Sequence, residues 1–115
     1  MNKQVFLGNW ADVNDVIRDF GISLEAVDGC NFITASYYDE CYEGNAYVLF
    51  EKNGMLYEVC GIHCSCHGLE NQWEPQETSR ESLRHILKNG NYFGNYHNPS
   101  EVGGVIREWL EADQQ

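Results

Sequence analysis

Nine consecutive residues, Cys60-Gly61-Ile62-His63-Cys64-Ser65-Cys66-His67-Gly68, hold three thiols and two imidazoles. Thiolate and imidazole are the ligands zinc prefers, and a structural zinc site needs four of them in a tetrahedron. Residue type therefore points to zinc, with His63, Cys64 and Cys66 as candidate ligands, Cys60 and His67 as further ones, and Cys30 and His85 as donors from elsewhere in the chain. Spacing argues the other way. Zinc knuckles present one pair of ligands around a turn and a second pair many residues later, so that the metal orders a loop. Here the main candidates crowd one segment. If strand alternation runs through it, Cys60 and His63 face opposite sides, and they share an ion only where Gly61 breaks the strand. The alternative is a set of small, inert thiols at a strand end.

A catalytic thiolate needs a base within hydrogen-bond reach and a third group to orient that base. His63 and Cys64 are adjacent, and neighbours on an extended chain seldom face each other. The nearby acids Glu58, Glu70 and Glu74 raise a thiol pKa rather than lower it. The sequence contains no Walker loop, dinucleotide fingerprint or paired-histidine helix. The reading leans away from an enzyme. It assigns no catalytic residue, and no cofactor beyond zinc at the cluster.

The elements that position these residues follow from periodicity. A helix is expected from Trp10 to Phe20, capped by Asn9, with Val13, Val16, Ile17 and Phe20 on one buried face and Gly21 as its stop. Two hairpins are expected next, at Asp28-Gly29 and Asn53-Gly54, both favoured dipeptides for type I′ turns. With Asn53-Gly54 as the loop, Phe50 opposes Tyr57, Val48 opposes Val59 and Ala46 opposes Gly61, all on one apolar face. Glu51–Leu56, Leu49–Glu58 and Tyr47–Cys60 fall on the other. A slip of one residue scrambles both sets. In the first hairpin Leu24 opposes Ile33 and Ile22 opposes Ala35. Thr78-Ser79-Arg80-Glu81 reads as a capping box before the stripe Leu83, Ile86, Leu87, ended by Asn89-Gly90. Asn98-Pro99-Ser100-Glu101 opens a last helix carrying Val102, Val105, Ile106, Trp109 and Leu110. The expected fold is α+β: a three- to four-stranded antiparallel meander with about three helices, all on one face of the sheet. Between the last two helices, Asn91 to His97 form an aromatic loop, read as filling a gap rather than as a binding surface. Trp73 beside Pro75 is read as a loop anchor.

Composition sets the bounds. A chain of 115 residues with 43% hydrophobic content makes a single domain, 1–115, large enough for one core without staples. No stretch approaches the ~20 apolar residues of a spanning helix, and the N-terminal ten residues do not read as a secretory signal. Five cysteines, an odd number, are expected as reduced thiols. Eighteen acids against seven bases give a net charge of −11. That charge disfavours direct binding to nucleic acid or to a membrane, and it admits a basic protein partner or DNA mimicry. Plain solubility is the simpler reading. The acids Asp12, Asp15 and Asp19 lie along one helix, and Glu101, Glu108 and Glu111 along another. Oligomeric state is not encoded in any pattern.

From Gly44 to Gly90 the chain resembles a family of small, uncharacterised proteins of tailed bacteriophages and prophages. The resemblance is carried by Tyr47-Val48-Leu49-Phe50, Gly54-Met55-Leu56-Tyr57-Glu58-Val59, His63-Cys64-Ser65-Cys66 with Gly68-Leu69-Glu70, Gln72-Trp73-Glu74-Pro75 with Glu77-Thr78, and Leu83-Arg84-His85. Neither Cys60 nor His67 belongs to that pattern. The resemblance implies a phage-encoded protein of the host cytoplasm and supplies no site. Together with acidity and small size it gives the expected function: an accessory protein that binds a host protein, in a defence or nucleic-acid pathway. A zinc or thiol protein using the cluster, and a virion-associated structural component, are the alternatives.

Overall fold

The computed structural model describes residues 4–40, 43–64, 68–89 and 99–112. In chain order these form β1 (Val5–Gly8), α1 (Val13–Phe20), a 3-10 turn (Leu24–Val27), β2 (Asn31–Glu40), β3 (Glu43–Lys52), β4 (Met55–His63), β5 (Gln76–Thr78), α2 (Arg80–Asn89) and α3 (Pro99–Ala112). The strands lie in one sheet in the order β1-β2-β3-β4-β5. β1 runs parallel to β2 and every other pair is antiparallel. The α+β class stands. The sheet has five strands and is mixed, where three or four antiparallel strands were expected.

The Asn53-Gly54 hairpin has the expected register at every pair: Phe50–Tyr57, Val48–Val59, Ala46–Gly61, Glu51–Leu56, Leu49–Glu58 and Tyr47–Cys60. Both turn residues have positive φ, 54° and 81°, which a type I′ turn demands. The Asp28-Gly29 hairpin does not form. Asp28 sits at φ −64°, ψ 130°, Gly29 alone has positive φ, and the Cys30 amide donates to the Val27 carbonyl at 3.0 Å. That is a type II turn. It joins the 3-10 turn to β2, and Leu24 is left 71% exposed instead of facing Ile33. The partner of β2 on this side is β1, reached by a parallel crossover through α1.

α1 starts three residues later than expected. Asp12, not Asn9, is the cap, and its carboxylate accepts from the amides of Asn14 and Asp15. Trp10 is drawn inward, 2% exposed, with its indole N–H donating to Asp19 at 2.8 Å. Gly21 closes the helix in the left-handed region. The bonds Gly21 N–H to Arg18 and Ile22 N–H to Ile17 complete a Schellman motif. α2 is capped by Ser79, whose hydroxyl accepts from the Ser82 amide. Thr78 belongs to β5.

The helices cover both faces of the sheet, which corrects the single-face expectation. Trp10, Val16, Phe20, Phe32, Ala35, Val48, Phe50, Val59 and Leu69 make one core under α1. Ile33, Tyr47, Leu49, Leu56, Leu83, Val102, Ile106 and Leu110 make a second under α2 and α3. The cause is written in β3. Its residues Tyr47-Val48-Leu49-Phe50 are apolar at every position and all buried, so each face needs its own cover. A bulge between Phe32 and Thr34 keeps Phe32 and Ala35 in the first core while Ile33 enters the second. Fully burying each such side chain contributes about 1.5–3 kcal/mol.

Candidate binding cleft at the edge of strand β4

Alternation along β4 sends Tyr57, Val59, Gly61 and His63 to the α1 face, and Leu56, Glu58, Cys60 and Ile62 to the α2–α3 face. Gly61 does not break the strand; it pairs with Ala46. It is glycine because an added Cβ would lie 2.9 Å from Leu69 Cδ2 and 3.3 Å from the Phe20 ring. Cys60 and His63 therefore face opposite sides of the sheet. His63 Nε2 stands 3.7 Å from Asp39 Oδ1, and its ring meets Tyr37 edge-on. Cys64 is half-buried at a bridge just past the strand end. Cys66 and His67, with the aromatic loop Asn91 to His97, lie outside the described residues. Cys30 precedes β2 at the other end of the sheet, because Asn31 pairs near Glu51 whereas His63 pairs with Gly44. His85 is exposed on α2, beside Asn89. Among the described residues no three or more His, Cys, Asp or Glu side chains gather as a metal site.

Past β4 the chain folds back along the strand's outer edge. Leu69 is buried in the α1-side core, and a turn follows in which the Gln72 amide donates to the Leu69 carbonyl. Asn71 takes positive φ there, 67°, a conformation that Asn tolerates better than most residues. Gln72 then acts as a one-residue strand. Its Oε1 accepts from the Ile62 amide at 2.8 Å, while Nε2 donates to the carbonyls of Ile62 at 2.8 Å and Gly68 at 2.7 Å. Trp73 turns the opposite way. It stacks on Phe50 with rings 5.9 Å apart and meets Phe20 edge-on, which makes it the anchor its neighbourhood with Pro75 suggested. β5 resumes the pairing at Leu56–Glu58 only.

Between the Gln72 clasp and β5 the edge of β4 carries, among the described residues, no strand partner at Cys60. A cleft of about 270 Å³ opens there, lined by Glu58, Cys60, Asn71, Gln72, Glu74 and Gln76. Its chemistry is one-sided: two carboxylates, three carboxamides and a thiol. The buried Tyr47 hydroxyl donates to Glu58 Oε2 at 2.8 Å and fixes that carboxylate from below. Desolvation, and then the charge of Glu58, push the Cys60 thiol up to about 11. A thiol so protonated is a poor nucleophile at neutral pH. Beside it on the same face Ile62 is 58% exposed, beyond the cover of α2 and α3. The cleft is suited to holding an ammonium or guanidinium group whose apolar stem rests on Ile62.

The acids singled out from the sequence behave differently. Asp12 caps α1, Asp15 accepts from the Ala11 amide and pairs with Arg18, and Asp19 binds both Trp10 and Arg18. Glu101 accepts from the Tyr38 hydroxyl. Asp12, Asp15, Asp19 and Glu101 are thus engaged within the fold, while Glu108 and Glu111 are exposed on α3. The cleft residues Glu58, Asn71, Gln72, Glu74 and Gln76 were not picked out as a site from sequence. The available signal was the alternation Gln72-Trp73-Glu74, polar on either side of an inward ring. No helix of the described residues is long and apolar enough to cross a membrane. No protein-family model, curated protein or solved structure matches this chain.

Proposed function

We propose that this chain is a small, phage-type accessory protein that acts by binding a host protein and altering its work, in a defence or nucleic-acid pathway. The contact surface is the open edge of β4. The observation that carries this reading is the cleft at Cys60, acceptor-rich and held in shape from below by Tyr47, with an exposed isoleucine at its side. A lysine or arginine of the partner enters between Glu58 and Glu74, and an apolar neighbour covers Ile62. Because Glu58 is positioned before binding, little ordering is required of it when the partner arrives. The net charge of −11 speeds encounter with a basic surface and repels nucleic acid.

The test is affinity capture from a bacterial lysate with the wild-type chain and with the Glu58→Gln, Glu74→Gln double variant in parallel. A specific protein retained by the first, lost from the second and released as salt rises supports the reading. Equal retention by both removes the cleft from it, and repeated recovery of nothing specific removes the binding function.

A second reading keeps His63, Cys64 and Cys66 as zinc ligands. It is favoured by Asp39 beside His63, since a carboxylate on one ring nitrogen orients metal-bound histidines. Zinc well below one equivalent in protein purified without chelators excludes it.

A further inference from the structure

Three of the seven basic residues of this acidic chain converge on one place. Arg84, Leu87 and Lys88 on α2, and Arg107, Leu110 and Glu111 on α3, each fall at i, i+3, i+4 spacing. Together they line a cleft of about 300 Å³ between the two helices. Leu110 is buried and Leu87 half-buried, so the floor is apolar and the rim cationic. Of the other described cations, Arg18 pairs with Asp15 and Asp19 and Arg80 with Glu51, while Lys52 makes no ion pair. Among the described residues, Arg84, Lys88 and Arg107 make no ion pair or side-chain hydrogen bond. Among the described residues Glu111 is the one acid lining the cleft.

This arrangement is unfavourable by itself. Like charges four residues apart on a helix destabilise it by a few tenths of a kcal/mol. The dipole at the end of α2 accounts for Lys88. It does not account for Arg107, which lies in the body of α3. In a chain with eighteen acids, leaving these three cations together and unpaired provides a local positive field.

We infer that the α2–α3 cleft is a second binding site, and that it takes a small organic phosphate whose apolar portion rests on Leu87 and Leu110. Charge and size both select this ligand. Among the described lining residues three cations face one carboxylate, a positive balance that suits a phosphate monoester carrying about −1.5 to −2 at neutral pH. Arginine presents paired N–H donors that fit phosphate oxygens two at a time. An extended polyanion is disfavoured: beyond a Debye length of about 8–10 Å the local cations are screened, and a long ligand must also meet the acidic remainder of the surface. The site is independent of the β4-edge cleft, which is lined by different residues and has the opposite charge preference.

Phenyl phosphate, a phosphate monoester with an apolar ring, is the probe. Isotope-labelled full-length protein titrated with it is expected to show saturable amide shifts confined to residues 84–88 and 107–111. The Arg84→Gln, Arg107→Gln double variant is expected to bind at least about tenfold more weakly, since removing a single charge-assisted hydrogen bond weakens binding by that much or more. Lys88→Gln gives the same direction should the double variant fold poorly, and Lys52→Gln is expected to bind as wild type. Inorganic phosphate is expected to bind more weakly than phenyl phosphate, because it leaves the leucine floor uncovered. No shifts at these residues up to about 10 mM probe, unchanged affinity in the charge variants, benzoate binding as tightly as phenyl phosphate, or a DNA duplex binding in its place would each overturn the proposal.

Discussion

Gly8 shows how one residue decides the end of a strand. It sits at φ +70°, and an added Cβ would run into the carbonyl oxygen of Tyr37, the same oxygen that accepts from the Asn9 amide at 2.7 Å. Gly8→Ala combines left-handed strain with a backbone clash that no rotamer relieves, so a loss of ~3 kcal/mol is expected in urea denaturation. A loss below about 0.5 kcal/mol would show that the turn is not built this way. Cys60 offers a chemical test at the same scale. With its thiol raised by desolvation and by Glu58, the thiolate is scarcer at pH 8 in the fold than in the unfolded chain, which the greater basicity of the remaining thiolate offsets only in part. Peptide mapping after iodoacetamide treatment is expected to find Cys60 alkylated more slowly in native than in urea-denatured protein; equal rates contradict that environment. The two dipeptide turns mark what was legible here. Asn53-Gly54 takes positive φ at both positions, whereas in Asp28-Gly29 only the glycine does. The dipeptide alone does not distinguish a type I′ turn from a type II turn.

Among the elements, the pairing of β3 with β4 could be read because Asn53-Gly54 fixes the turn, and one face of the resulting ribbon is then wholly apolar while the other carries Glu51 and Glu58. β1 and β5 could not. They have four and three residues, too few for alternation to register, and both pair with strands read as partnered elsewhere or as edges. The placement of α1 opposite α2 and α3 was readable in principle from the unbroken apolar run of β3, a signal that the expected meander did not use. The β4 edge depends on a side chain acting as backbone, which no pattern of hydrophobicity announces. Gln72→Ala removes three hydrogen bonds at this edge. Hydrogen exchange is expected to show the Ile62 amide losing most of its protection, with a global loss of ~1–3 kcal/mol. Unchanged protection at Ile62 would mean that something other than Gln72 covers the edge.

For the whole molecule, alkaline pH is the lever. Burial raises Tyr37 to about 12 and Cys60 to about 11. Tyr38 and Tyr47 are raised as well, by burial first and then by Glu101 and Glu58 respectively. In each case the folded state keeps a proton that the unfolded chain releases at its ordinary value, 9 for the thiol and 10 for the phenols. Stability is therefore complete below about pH 9 and is lost as pH climbs through the raised values. The urea midpoint is expected to fall steadily from pH 9 to 11, with the Tyr37, Tyr38 and Tyr47 rings, followed individually by NMR, ionising together with unfolding rather than before it. A flat midpoint over that range would contradict the protonated state of these groups in the fold.

At the same scale, the open edge of β4 is the surface proposed to meet a host protein. A photo-crosslinking residue placed at Ile62, beside the cleft, tests this directly, with the same residue at Leu24, exposed on the 3-10 turn, as the comparison. Irradiated in bacterial lysate, the chain is expected to trap one discrete host protein from position 62 and not from position 24, and Glu58→Gln with Glu74→Gln is expected to abolish the adduct. Adducts of equal yield from both positions, or none from position 62, would contradict it.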